Sequence, residues 1–509
     1  MKNLKQVLGE KLWWLADLER ANSQRRSFAS RAYRNAVWAL DQLPPDLTSE
    51  RDVLLRVRGI GKTIADLVIE FLETGEIPRL QRLSQTLPKE AGRLSRLPRM
   101  TPTRLRALKS EFGVESVSDL RRVVDEGEMP DLPGVGAGTA LVWRGRLGES
   151  DRDGISLPQA AGIAQRFRTH LEKHLPDVAF EVVGGVARLD EWVDEVELEA
   201  SDLAAVEKFL EQSALTIELE VKPGRLFATT LAGPITIALP DSNMKPQLAK
   251  SGLRDEDLRG DFHLHSDWSP DGRQTLTQIV ATARALGWQY IAITDHGIGL
   301  RFGGLDVESI RRQRASIDEV REANPDLVIL HGAELNIDRT GQLDYDDDVL
   351  GWLDFRLAGV HSHFGLEQGE QTARLLTAIS NPLVHAIAHL TGRRIGTRPP
   401  IDLDLEAVFQ AAASCATAIE VNGHLDRLDV SADNARLAAR AGAIFVANSD
   451  AHRPAEMRNV FIGVKVLQRA GVESGQVINT WELPRLQNWL QAKSTQPTST
   501  AKSTTSSRN

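Results

Sequence analysis

The sequence predicts a multidomain chain: an all-α N-terminal region, a small α+β segment, and an α/β C-terminal half in which seven strands alternate with helices. Three observations carry this expectation. The 509 residues exceed the usual size of one domain. The first 130 residues read as short helices joined by tight turns. From Leu258 onward, short apolar runs with polar ends alternate with helical patterns, which indicates a parallel sheet or barrel.

Composition narrows the class. Apolar content of 41% and charged content of 26% are ordinary for a soluble globular protein. A single cysteine, Cys415, excludes a disulfide framework and fits a reducing cytosol, so a cytoplasmic location is expected. No run of eighteen apolar residues exists, so no membrane span is expected. The opening MKNLKQVLGEKLWWLADLER carries acids early and does not read as a signal peptide. The net charge of −9 hides an asymmetry: residues 1–150 hold 25 Lys+Arg against 20 Asp+Glu, or +5, which leaves −14 for the rest. A polyanion partner would therefore be met at the N-terminal end.

The elements follow in order. Residues 1–82 form the first helical domain, with RGIGK placing Gly59, Gly61 and Lys62 before a helical pattern. Residues 83–148 form a second helical region, where DLPGVGAGTAL repeats the theme with Gly134, Gly136 and Gly138. Gly-hydrophobic-Gly at a helix N-terminus is the hairpin of a helix-hairpin-helix. Its glycines let backbone N–H groups approach a DNA phosphate, and the helix dipole adds attraction. A plain glycine-bearing inter-helix turn is the alternative. Residues 149–245 change to mixed structure, with FEVVGGVARL, VDEVELEAS, ALTIELEVK and GPITIALP as strands and Asp202–Gln212 as a helix. Residues 255–490 carry the seven runs DFHLH, YIAITDH, LVILHGAE, FRLAGVHSH, HAIAHL, AIEVN and IFVANSDAH. Thr275–Leu286 and Ser309–Ala323 are helices among them. The tail from Lys493 to Asn509 has almost no apolar content and is expected to be disordered.

Ten of the twelve histidines lie between 263 and 452, most of them at strand ends. His263 and His265, two apart, share one face of a strand. A barrel would gather these ends around one mouth. Neutral imidazoles with a few carboxylates suit zinc, manganese or iron. A lone strand-end histidine is more often structural or solvent-facing, which is the expectation for His331, His385 and His424. His170 and His174 lie outside the alternation and are expected on a helix surface.

DFHLHSDWSPDG, AITDH, GAELNI, GVHSHF, HLTGR, EVNG and NSDAH resemble the motifs of the PHP (polymerase and histidinol phosphatase) family. The resemblance implies a distorted (β/α)7 barrel with up to three divalent ions. By motif position their nine ligands would be His263, His265, Asp271, His296, Glu334, His361, His389, Asp450 and His452. It also implies a partition: His263, His265, Glu334 and Asp450 on one ion, His361 and His389 with bridging Glu334 on a second, and Asp271, His296 and His452 on the third. Catalytic work would fall to Glu334, His361 and Asp450, with Arg393 in HLTGR steadying a phosphate oxygen. His363 would contact substrate or do nothing.

The order of segments, from FASRAYRNAVWALDQLPPDL through both glycine hairpins to the barrel, resembles the bacterial family X DNA polymerases. That family's palm opens with Gly-Ser, then an Asp-x-Asp pair and a later third aspartate, which hold two magnesium ions. Here Gly184-Gly185 replaces Gly-Ser, the pair falls on Glu195 and Glu197, and the third position falls near Thr236. Magnesium tolerates little error in ligand geometry. About 17 residues separate Pro240 from the barrel, too few for a thumb. The hairpin segment LPRMTP lacks glycines, and Leu67 or its apolar neighbours stand where a lyase lysine would be. The expectation is a degenerate nucleotidyltransferase-like palm, without magnesium-dependent polymerase chemistry, beside a complete PHP phosphoesterase that processes DNA 3′ ends. DNA, gapped, nicked or as 3′ ends, is the expected partner; no membrane partner is expected, and oligomeric state stays open. The alternatives are a histidinol-phosphatase-like small-molecule phosphatase, a DNA polymerase that is still active, and a non-catalytic DNA-end scaffold.

Overall fold

The computed structural model describes residues 2–23, 27–44, 46–97, 99–125, 143, 147, 154–240, 252–300 and 303–495. The chain divides into two compact units, Met1–Pro246 and Gln247–Asn509. The second hairpin, with Gly134, Gly136 and Gly138, lies outside the described residues.

The first unit begins with helices α1 (Leu4–Asn22), α2 (Phe28–Leu40), α3 (Arg51–Arg56), α4 (Lys62–Thr74), α5 (Pro78–Thr86), α6 (Ala91–Leu94), α7 (Pro102–Phe112) and α8 (Val117–Asp125). Local chemistry sets their starts. Asn3 accepts from the Gln6 amide at 2.8 Å while the Gln6 side chain accepts from the Asn3 amide at 3.0 Å, a reciprocal cap on α1. Gly61 caps α4 with no side chain, so the first amides of that helix have no side-chain partner. Two sheets follow: a pair, β1 (Ile155–Ser156) with β3 (Trp192–Val193), and a five-stranded sheet in the order β2 (Phe180–Val183), β4 (Val196–Ala200), β7 (Gly233–Ala238), β6 (Arg225–Thr230), β5 (Thr216–Lys222). One apolar core runs from Leu8 in α1 to Ile237 in β7.

Three expectations are corrected here. FEVVGGVARL is not one strand: it ends at Val183, and Gly184–Arg188 is a short helix. Gly184 sits at φ +63°, and a Cβ there would lie 1.8 Å from Glu197 Oε1, so only glycine permits this turn. Strand β6 is not among the strands the sequence predicts, although its burial alternates along RLFATT. His170 is buried rather than on a helix surface. Its Nε2 lies 2.9 Å from Asp41 Oδ2, and Asp41 also accepts from Ser213 Oγ and the Ala214 amide, both at 2.7 Å.

The second unit holds seven parallel strands in chain order: β8 (Gly260–Leu264), β9 (Tyr290–Ile293), β10 (Val328–Asn336), β11 (Phe355–Gly359), β12 (Ala386–Ala388), β13 (Ala418–Asn422) and β14 (Phe445–Asn448). These strands are almost wholly buried, which is why they read as apolar runs rather than alternating patterns. The first and last strands meet at a bridge between Leu264 and Ala451. Side chains suture the rest of this seam. Asn479, fully buried, donates to Gly260 O at 2.9 Å and Ala447 O at 2.7 Å and accepts from the Ala447 amide at 2.7 Å. Asn448 Oδ1 accepts from the Phe262 amide at 3.0 Å. Helix Leu483–Thr495 packs Leu486 and Trp489 against the core that contains Phe262 and Phe355. The expected disorder from Lys493 is therefore corrected: Lys493 is buried within that helix, and its Nζ donates to Cys415 O and Thr417 Oγ1. Residues 496–509 lie outside the described residues.

The seam predicts a measurable cost. Asn479→Ala strips three buried hydrogen bonds and should destabilise the barrel by roughly 2–5 kcal/mol. A fall in the urea midpoint at unchanged slope would register it; an unchanged midpoint would mean that the bridge alone closes the barrel.

Candidate metal centre

The C-terminal ends of the strands deliver the polar side chains. His263 lies near the end of β8 and His265 just past it; Glu334 lies near the end of β10. His296, His361, His389 and Asp450 follow β9, β11, β12 and β14 within three residues, with His452 two residues beyond Asp450. All converge around Glu334, which is 1% exposed. Glu334 Oε1 lies 2.7 Å from His389 Nε2 and 2.9 Å from His361 Nε2. Its Oε2 lies 2.8 Å from His296 Nδ1, 3.4 Å from His263 Nε2 and 3.5 Å from His265 Nε2. Asp450 Oδ1 stands 3.4 Å from both His263 Nε2 and His265 Nε2. Asp271, half-exposed in its loop, reaches His452 Nε2 at 3.3 Å and His296 Nε2 at 3.6 Å.

Three groups have donor atoms mutually close enough for one ion: His263–His265–Asp450, His296–Glu334–His361 and His265–His296–His452. The donor chemistry fits divalent cations. His263 Nε2, His265 Nε2, Glu334 Oε2, His361 Nδ1 and His389 Nδ1 are buried without a hydrogen-bond partner. Buried polar atoms are normally satisfied, so the first three, whose two imidazole nitrogens each lie within 3.5 Å of Glu334 Oε2 and of Asp450 Oδ1, call for a cation. Burial pushes the His265 imidazole down to about 3, helped by His452 and His296, which keeps it in the neutral form a metal requires. Burial likewise lowers His389, to about 4, with Arg427 adding to it. Burial alone would raise the Glu334 carboxyl, but His361, His263 and His296 hold it well below the usual carboxylate range.

A supporting layer orients these groups. Glu420, fully buried in β13, takes His263 Nδ1 at 2.6 Å and the His389 amide at 2.6 Å, with Asn448 Nδ2 at 2.8 Å. This bond fixes the His263 tautomer and turns its Nε2 lone pair toward Glu334 and Asp450. Asp295 accepts from the Ser266 amide at 2.7 Å and from Gln313 at 2.6 Å, and Gln313 in turn accepts from His331 Nε2 at 3.0 Å. His331 is thus a structural prop. So is His385, stacked on Phe355 at 5.3 Å. His424 bonds Asp426 at 2.6 Å. His389 at φ +27° and Asp450 at φ +54° are non-glycine residues in the left-handed region, strain of the kind held at functional sites. Gly359 makes room beside them: a Cβ there would meet His389 Cε1 at 2.9 Å and His361 Cε1 at 3.1 Å.

Glu420 and Arg427 are contributors that sequence reasoning missed. Glu420 had a signal, as a lone acid inside the apolar run AIEVN. Arg427 had none, as one loop arginine among several. It is 8% exposed, its Nε lies 3.1 Å from Asp450 Oδ2, and its Nη1 is buried without a partner. Arg393, expected at a phosphate oxygen, instead donates from Nε and Nη2 to the carbonyls of Arg427 and Leu428 at 2.8 and 2.5 Å. Those bonds brace the loop that carries Arg427. His363 is exposed.

In the first unit, Gly59, Gly61 and Lys62 are exposed while Ile60 between the glycines is buried. In the sheet, Thr236 pairs with Glu197 across β4 and β7, and its hydroxyl donates to Glu195 Oε2 at 2.6 Å. Glu197 Oε1 accepts from the Gly185 amide at 3.3 Å.

Residues 261–451 match the model of the PHP domain, and residues 8–77 that of a helix-hairpin-helix domain. A protein named "Probable phosphatase" from Syntrophotalea carbinolica is 32% identical over 43% of this chain and 90% of its own length. The chain belongs to the PHP family. Its architecture is that of PolX, with a helix-hairpin-helix region ahead of the PHP barrel. The "DNA polymerase/3'-5' exonuclease PolX" of Bacillus subtilis is 27% identical over 91% of this chain and 95% of its own length. A solved histidinol phosphate phosphatase from Lactococcus lactis, complexed with zinc, L-histidinol and phosphate, aligns with 42% of this chain and 95% of its own at 20% identity and a TM-score of 0.33.

The supporting layer is testable through metal content. Glu420→Gln, which disturbs the His263 tautomer, should weaken metal affinity by about 10–100-fold. Gly359→Ala should do so as well, by displacing His361 and His389. Metal analysis after dialysis against graded chelator would read both; retention equal to wild type would refute the role given to these residues.

Proposed function

We propose that the chain is a metal-dependent phosphoesterase that acts on DNA ends, removing 3′ nucleotides or 3′ blocking groups. The observation that carries this reading is the set of unpartnered buried donor atoms around Glu334. His263, His265, Glu334 and Asp450 would hold one divalent ion, Glu334 with His361 and His389 a second, and Asp271, His296 and His452 a third. Manganese, zinc and iron suit these donors. Bound there, such ions would polarise a phosphoryl oxygen and lower the pKa of a water.

The chain's own residues do the remaining work. Glu420 and Glu334 hold the imidazoles in one orientation. Arg427 Nη1 offers a donor to a phosphoryl oxygen beside Asp450. Gly59, Gly61 and Lys62 would present backbone amides and one cation to a DNA phosphate, and Gly134, Gly136 and Gly138 would do the same. The palm-like segment would do no polymerase chemistry: Thr236 offers no carboxylate, and Glu195 and Glu197 are engaged in local bonds.

A second reading, a small-molecule phosphatase, is favoured by one observation. The 32%-identical phosphatase covers 43% of this chain, a share the barrel alone accounts for. One experiment separates the two. His263→Ala and Asp450→Ala should each cut manganese-dependent release of nucleotides from a DNA 3′ end by at least about a hundredfold. Hydrolysis of histidinol phosphate, with no binding to nicked or gapped DNA at modest salt, would favour the second reading. Full DNA hydrolysis in both variants would refute the first.

A further inference from the structure

The first unit carries a line of arginines that the hairpin does not account for. Arg20 ends α1, Arg34 lies in α2, Arg93 lies in α6 and Arg96 just past it, and Arg166 lies on the helix Leu157–His174. Arg20, Arg93, Arg96 and Arg166 are exposed. Two of the five are held against aromatic faces. The Arg34 guanidinium stands 4.2 Å from the Trp13 ring centre, and that of Arg166 stands 4.7 Å from Trp38. Stacking of this kind fixes the plane of a guanidinium while its N–H edge donates, from Arg34 to Asp17 and from Arg166 to Asn35.

Close packing forces the group together. Gly92 sits so near α1 that a Cβ would lie 2.6 Å from the Asp17 carboxyl carbon. Asp17 pairs with Arg34, and Arg93 pairs with Glu90 at 3.3 Å. Among the described residues no carboxylate pairs with Arg20, Arg96 or Arg166. Arg96 is held below the usual arginine pKa by partial burial, then by the charges of Arg20, Arg34 and Arg93, with Asp17 the one opposing carboxylate. Arg166 is lowered likewise, by burial and by Arg34. A solvated face usually intersperses the two signs; here five arginines meet two carboxylates, Asp17 and Glu90.

The line also reaches the hairpin. Arg166 Nη2 donates to Asn35 Oδ1 at 2.8 Å, and the Asn35 carbonyl lies 3.7 Å from the position a Cβ would take on Gly59. Asn35 follows Arg34 in sequence, so α2 joins the arginines to the hairpin glycines. We infer that Arg166, Arg34, Arg20, Arg93 and Arg96 form a track for the phosphates of a DNA strand that continues from the Gly59–Lys62 hairpin. This rests on the DNA reading above and deepens it: side-chain guanidiniums, not hairpin amides alone, supply the electrostatic part of binding.

The test is the salt dependence of binding by the full chain, read by fluorescence anisotropy with a labelled gapped duplex and a labelled single strand. Each phosphate-contacting cation removed should lower the slope of log K against log salt by about 0.7–0.9. The triple variant Arg20→Gln/Arg96→Gln/Arg166→Gln should therefore lose about 2 to 3 units of slope and at least about tenfold in affinity at moderate salt. Asp17→Asn, which removes the opposing carboxylate, should act in the other direction and tighten binding. Circular dichroism melts would show that both variants fold. A triple variant with wild-type slope and affinity, while Lys62→Gln weakens binding, would overturn the track and leave the DNA reading standing. A wild-type chain that binds neither DNA at modest salt would overturn both.

Discussion

One buried carboxylate sets the terms for the second unit. Glu334 is 1% exposed and faces five imidazoles, those of His263, His265, His296, His361 and His389. An ionised carboxylate in such a place is costly unless positive charge and hydrogen bonds surround it. No single element can supply that surround. The five histidines come from four strand ends, so Glu334 is tolerable only if the strands close into a ring. The seam is where that closure is most exposed to failure. Asn479 and Asn448 act there as side-chain substitutes for a backbone ladder between the first and last strands, which share one bridge.

The same demand explains the buried acids around the ring. Asp261, Asp295, Asp429 and Glu420 each spend their oxygens on amides or side chains at or near the strand ends, or on the helix residue Gln313. Asp261 takes the His263 amide, and Asp429 takes the Thr391 amide and hydroxyl. Burial pushes Asp261 up to about 7 and Asp429 to about 6. They are braces whose value lies in geometry, since His389 and Asp450 must stay in left-handed conformations that the chain would otherwise relax. Gly359 contributes by absence of a side chain, which lets two imidazoles approach one backbone.

Much of this was legible because a parallel strand buried on both faces writes itself as an apolar run, and a polar residue at its end then stands out. His263, His265, Glu334 and Asp450 are visible for that reason. Glu420 sits inside such a run and was visible in principle, but an orienting role leaves no spacing rule. Arg427 lies on a loop, where charge is ordinary, and only its burial against Asp450 sets it apart. In the first unit, the Gly184-Gly185 pair reads as a strand interior until the Glu197 carboxylate is seen to occupy the space a side chain would need. Helix periodicity does not reveal the burial of His170, because its partner Asp41 lies 129 positions away.

The chain therefore holds carboxylates in two opposite conditions. In the barrel, Glu334 Oε2 is buried with no hydrogen-bond partner, although several imidazoles lie within 3.5 Å. That arrangement persists only where a cation satisfies it, because an unmade bond to a buried charged oxygen is destabilising. In the five-stranded sheet of the first unit, Glu195 receives the Thr236 hydroxyl and Glu197 receives the Gly185 amide. Those carboxylates have found neutral donors, and a magnesium ion would have to break both bonds to recruit them. Thr236, paired with Glu197 across the ladder, brings a hydroxyl and no negative charge to offset that loss. The oxygens of Glu195 and Glu197 are held by neutral donors within their own sheet, whereas Glu334 Oε2 has imidazoles and no hydrogen-bond donor aligned with it.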